Sequence, residues 1–260
     1  MTRTRPAAEL EKRRRLVGHV ATAFVFIAWG VSGLFLPAYL LPAPWTVGLQ
    51  LWQFIQDAHM WRHTALSLAH VFLSVVLSLT IGGALALLAH YVDAFRLAVH
   101  GRLCPFLNSF AGTGWVLLAV LWFGLSDVTV VFAISMVLIP FAIINVRHGL
   151  ESLDPDLVEM ALSFSRGRVG RFWRIVLPAL VPFLFSTLRI CFGVAWKAAL
   201  TAELFGGNGG FGYLFDQARQ DYDTPLVIAI ILLIVVFVYA MERFFFEPAH
   251  ARLQAHYAAA

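Results

Sequence analysis

Three ionisable side chains, Arg189, Lys197 and Glu203, sit inside an apolar stretch that runs from about residue 179 to residue 204. Charge in a hydrocarbon layer is costly, so such groups face a bundle interior, water or a partner. Arg189 and Lys197 are eight residues apart, about two helical turns, which puts them close to one face. Trp196 stands beside the lysine. Glu203 is six residues further on and points elsewhere, nearer the outer surface. Two readings stand. A basic face along an aqueous path would favour an anion; alternatively Arg189 snorkels to the interface and Lys197 pairs locally with a carboxylate.

Other chemistry-bearing residues are sparser. His70, Ser74, Ser78, Gly82 and Ala86 recur every four residues, with His90 continuing the row. A stripe of small residues lets another helix approach closely, while His70 alone could face a path. His59 and His63 precede it without an ordered carboxylate at matching spacing. No grouping of nucleophile, base and orienting residue is visible, so no catalytic residue and no metal site is expected. Residues 206–210 hold four glycines in five positions. No Lys-Ser/Thr follows and no strand precedes, which excludes a P-loop.

The segment from Asp154 to Pro182 lies between two apolar runs yet carries Asp154, Asp156, Glu159, Arg166, Arg168, Arg171 and Arg174, so it cannot cross a bilayer core. Asp154 can cap a helix that starts at Pro155, and the acidic first turns suit a helix N-terminus. Leu157, Met160, Ala161 and Phe164 give it one apolar face. Ser165, Arg166 and Gly167 break the period. A second short helix is expected from about Val169 to Leu177, ending at Pro178. The expected object is a helix-turn-helix platform on a membrane face.

These residues need a membrane to organise them. Of 260 residues, 60% are hydrophobic and 13% charged, with mean hydropathy +0.78, which excludes an ordinary soluble domain. Six apolar stretches, near 17–41, 66–90, 104–124, 128–146, 179–204 and 225–246, approach the length of a helical span. The fold class is an all-α polytopic membrane protein. Residues 1–16 form a basic tail, 17–246 the transmembrane domain with the platform at 150–178, and 247–260 a C-terminal tail. Lys and Arg on alternate connections number fifteen against two, which predicts both termini and the platform in the cytoplasm. The basic residues are spread over one membrane face, so no nucleic-acid partner is expected. Residues 42–63, with Trp45, Trp52 and Trp61, suit an interfacial connection. Pro140 is expected to bend the fourth span. Cys104 and Cys191 lie in or near spans and are not expected to pair.

Glu159, Ala161, the turn at 165–167 and the Ile-Val-Leu-Pro run ending at Pro178 resemble the "EAA" loop of bacterial ABC-importer permeases. Met160, Ser165 and Gly167 depart from its usual residues. The run from Ala195 to Thr224 resembles the nitrate, sulfonate and taurine group. The third span ends in Trp122-Phe123-Gly124 as in that family, but Phe110, Ala111, Gly112 and Leu117 stand where prolines are frequent.

The resemblance implies a permease that carries a small, anionic solute, with a second copy of itself, two cytoplasmic ATPase subunits, a periplasmic or lipid-anchored binding protein and membrane lipid as partners. ATP and Mg would belong to the ATPase, with no cofactor in this chain and no enzyme activity of its own. Asp154, Pro155, Glu159, Ala161, Phe164, Ser165, Arg166, Gly167, Arg168 and Pro178 would form the coupling platform. Trp115, Arg189, Trp196, Lys197 and Glu203 are the candidates for the translocation path. A bacterial inner-membrane location follows. The alternatives are a self-sufficient secondary transporter, which would need inverted repeats that the sequence does not clearly show, and a polytopic membrane enzyme.

Overall fold

The structure is a computed structural model that describes residues 5–37, 39–152 and 177–258. The platform residues from Asp154 to Arg174 lie outside the described residues. Among the described residues every regular element is helical.

The chain divides into two compact units. The first holds residues 1–58 and 217–233. In it α1 (Arg5–Phe35) is long and its apolar side chains are exposed, as suits a helix solvated by lipid. Helix α2 (Pro44–Gln56) opens on a proline, whose missing N–H costs nothing at a first turn. Trp29 Nε1 donates to the Pro42 carbonyl at 3.0 Å, which ties the two helices. Gln50 Nε2 donates to Asp223 Oδ2 at 3.3 Å, and Thr224 Oγ1 donates to the Tyr39 carbonyl at 2.7 Å.

The second unit holds residues 59–216 and 234–260. Helix α3 (Ala58–Tyr91) leads through a short α4 (Asp93–Arg96) and a π-helical stretch, Leu97–Leu103, into α5 (Cys104–Ser109). The axis then turns by 88° into α6 (Gly112–Phe123). Ser126 caps α7 (Asp127–Glu151) through the Thr129 amide at 3.3 Å. After the undescribed segment, α8 (Leu177–Gly206) runs to a glycine loop, followed by α9 (Phe211–Gln220), α10 (Thr224–Met241), a π-helical stretch Glu242–Phe246 and α11 (Glu247–Ala258).

Among the described residues five helices are long and apolar enough to cross a membrane, or six if the bent pair around Phe110 is one span. The expected third span, 104–124, is therefore not one straight helix. The break falls where Phe110 and Ala111 are extended, and the Phe110 ring folds back over Gly114: a Cβ there would come within 2.8 Å of that ring. Helix α7 runs through Pro140 as one element. Pro178 sits in the first described turn of α8 rather than after a helix end.

The small-residue stripe is an interface between α3 and α7. Ser74 Oγ donates to the Val131 carbonyl at 3.2 Å, and Ser78 Oγ to that of Ser135 at 3.3 Å. At Gly82 a Cβ would lie 2.6 Å from the Ala142 Cβ, so only glycine allows this approach. Both cysteines are free and buried.

Candidate functional site

The three charged residues of α8 have different surroundings. Arg189 is half-buried and ion-paired to Glu242, in the π-helical stretch that follows α10. It does not join Lys197, although their spacing had suggested a shared face. Lys197 is exposed and lines a cleft of about 330 Å³ between α6, α7 and α8. The cleft walls are Val116, Ile134, Val137 and Val194, and Thr113 and Thr201 line it as well. Among the described residues no carboxylate forms an ion pair with Lys197.

Of the two candidate tryptophans, Trp115 is buried in an aromatic cluster with Phe106, Phe110 and Phe132. Trp196 is buried against Phe192, Phe211 and Phe237. Neither indole N–H has a partner among the described residues. Adjacent helical positions are about 100° apart, which is why Trp196 enters the core while Lys197 reaches the cleft.

Glu203 is 1% exposed, and both of its oxygens are engaged. Oε1 meets His70 Nδ1 at 2.9 Å. Oε2 accepts from Ser67 Oγ at 2.9 Å and from the Gly212 amide at 2.9 Å. The Phe211 amide donates to Ser67 Oγ at 2.7 Å, and the Gly210 amide to His63 Nδ1 at 3.1 Å. Three successive amides of the glycine loop are thus held by side chains from α3 and α8. Gly210, at φ +103°, makes a turn that an L side chain rarely adopts, and a Cβ on Gly212 would lie 2.6 Å from that of Glu203. The loop is also tied to the start of α7: the Ser126 amide donates to the Gly206 carbonyl at 3.0 Å, and Asn208 Nδ2 to that of Leu125 at 2.7 Å.

The other ring nitrogen of His70, Nε2, lies 3.3 Å from Asp127 Oδ1, near enough for an ion pair but not aligned as a hydrogen bond. His63 stacks on Tyr213 at 5.9 Å and meets the edge of His59 at 4.7 Å.

Sequence reasoning singled out Glu203 and His70 separately and did not join them, and it passed over Ser67, Asp127 and the role of His63. The signal was present: His63, Ser67 and His70 stand at i, i+4 and i+7, one face of a helix. Of the platform candidates only Pro178 is among the described residues.

The sequence profile of the family described as "Binding-protein-dependent transport system inner membrane component" matches residues 94–246. An Escherichia coli K12 protein named as an aliphatic sulfonates transport permease, SsuC, is 27% identical over 75% of this chain and 73% of its own. The taurine transport system permease protein TauC of the same organism is 26% identical over 73% of this chain and 69% of its own. Among solved structures, a chain of the MetNI methionine ABC transporter in inward-facing conformations superposes with a TM-score of 0.67 at 15% identity, covering 75% of this chain and 96% of that one. That likeness speaks to the fold.

Proposed function

The chain belongs to the family of binding-protein-dependent transport system inner membrane components, and from that premise we propose that it passes a small anion along a path lined by Lys197, driven by a separate ATPase. It is a multi-pass ABC-transporter permease. The observation that carries the proposal is the exposed lysine in its apolar cleft.

Lys197 lies nine residues before the end of α8, about 14 Å along the helix. An ammonium facing lipid at the middle of a span costs about 2.5–3.5 kcal/mol. Water and a passing anion remove that cost. A sulfonate, the group named for SsuC, offers oxygens to the ammonium and to the Thr113 hydroxyl, while the partly exposed Val137 and Val194 suit an organic tail. A lone cation holds such a solute loosely, as a path must if the solute is to leave.

In this reading two copies assemble with two ATPases and an extracytoplasmic binding protein, and both termini are cytoplasmic. Asp154, Pro155, Glu159, Ala161, Ser165, Gly167 and Pro178 shape the platform, and Phe164, Arg166 and Arg168 touch the ATPase. ATP and Mg act on that subunit. Trp115, Trp196, Arg189 and Glu203 support the path from the bundle around it.

The test is a pull-down of the C-terminally tagged chain from detergent-solubilised membranes. A co-purifying ATPase that is lost in a Glu159→Ala, Phe164→Ala variant is the expected result. A chain that purifies alone and still transports taurine in vesicles overturns the reading.

A further inference from the structure

We infer that the C-terminal ends of α3 and α7, together with the π-helical stretch Leu97–Leu103, form a binding site for a phosphate group, held by Arg96, His100 and Arg147.

The site is a cleft of about 200 Å³. Helix α3 contributes Ala86, Ala89 and His90, and α7 contributes Arg147, Leu150 and Glu151. Each set stands at i, i+3 and i+4, one face of a helix. Arg96, at the end of α4, and His100, four residues on in the π-helical stretch, complete the wall. Ala86 and Ala89 line the cleft with buried methyl groups, too short to fill it. The polar groups converge, because Arg96, Arg147, Glu151 and His90 all lie near enough to act electrostatically on the His100 ring.

The charges favour an anion. Two guanidiniums share the cleft with one carboxylate, and that carboxylate is already answered: Arg147 Nε donates to Glu151 Oε1 at 2.7 Å. The bond uses Nε and leaves the Nη groups of Arg147 for another acceptor. Among the described residues Arg96 makes no hydrogen bond or ion pair, so all five of its donors are open. A guanidinium fork matches phosphate oxygens two at a time. The half-buried His100 ring adds a nitrogen that can donate in either protonation state.

The surroundings suit a phosphate carried by a lipid. Leu88, Val92 and Phe95, which flank His90 and Arg96 in the chain, are exposed apolar side chains that acyl chains can cover, and the exposed Tyr91 suits headgroup depth. A basic pocket between spans, on the side where Lys and Arg gather, is where anionic headgroups settle. Helix α7 ends at Glu151, and Asp154, the first residue of the expected platform, is three residues further on. A phosphate held by both arginines therefore ties the connection after α3 to the root of that segment. The site goes beyond the transport reading and stands whatever solute is carried.

The experiment is native mass spectrometry of the purified full chain in detergent, titrated with phosphatidylglycerol or with diacylglycerol of the same acyl chains, which lacks the phosphate. Wild type is expected to bind the first phosphatidylglycerol about tenfold more tightly, the scale of one charge-assisted hydrogen bond. Arg96→Gln and Arg147→Gln should each remove most of that preference. Arg102→Gln, which removes the same charge from the same connection outside the cleft, should leave it unchanged. Where wild type shows no preference between the lipids, inorganic phosphate is the second probe: a thermal midpoint that rises with phosphate in wild type and not in Arg96→Gln assigns the site to the free anion. Neither a lipid preference nor a phosphate effect in wild type, a preference that either cleft variant leaves in place, or one that Arg102→Gln lowers equally, overturns the inference.

Discussion

Lys197 and Glu203 are six residues apart on one helix and are treated in opposite ways. Glu203 is buried, with both oxygens occupied by α3 and by the glycine loop. Lys197 is exposed in an apolar cleft, and no described carboxylate answers it. A charge inside a span has to be stabilised by something. Where described residues supply every partner, the charge fixes structure; where none of them does, the proposed reading gives the charge to a passing solute. In the proposed reading the difference separates the part of α8 that holds the bundle from the part that meets a solute.

The largest effect expected from this difference is at Glu203. Glu203→Ala strands His70, the Ser67 hydroxyl and the Gly212 amide, and breaking a buried pair costs about 3–5 kcal/mol. Thermal unfolding of the detergent-purified chain, followed by recovery on size exclusion, should show a fall of many degrees. Unchanged unfolding would mean that full pairing does not mark a structural charge, and the contrast with Lys197 would lose its basis.

Lys197→Met should do the reverse. It removes a charge without orphaning a described partner, so the unfolding midpoint holds or rises. Uptake of an anion by the reconstituted complex should fall about tenfold, equivalent to about 1.4 kcal/mol, and Lys197→Arg should restore part of it. Uptake equal to wild type in Lys197→Met would place the solute's path elsewhere.

The two regions also differ in how far the sequence discloses them. Lys197 is visible as a charge in an apolar run, but whether a carboxylate reaches it depends on neighbours far along the chain. The spans are legible because hydropathy over about twenty residues reports them directly. The break at Phe110 is not, since no charge interrupts residues 104–124 and the Phe110 ring that folds over Gly114 looks in sequence like any other apolar residue of the run. The fastening at Glu203 joins residues 133 and 136 positions apart. Its nearby sign is the His63, Ser67 and His70 face of α3, which the longer four-residue stripe through Ser74 and Ser78 obscures. That another helix packs closely on that stripe was readable, because small residues at that spacing admit a close approach; which helix does so was not.

Arg189 separates two explanations of the contrast, because it is paired but not buried. Its side chain is 37% exposed and its partner Glu242 is 36% exposed. If pairing alone decided the outcome, Arg189→Gln would destabilise the chain as Glu203→Ala does. If burial decides how much pairing matters, solvent and lipid headgroups replace the lost partner, and the cost stays within about 1 kcal/mol, the range of exposed ion pairs. The second result is expected. A double-mutant cycle with Glu242→Gln should then give a coupling of the same small size, read from the unfolding midpoints. A coupling of several kcal/mol would show that the environment of Arg189 excludes water and headgroups as strictly as that of Glu203, and pairing would become the property that matters along α8.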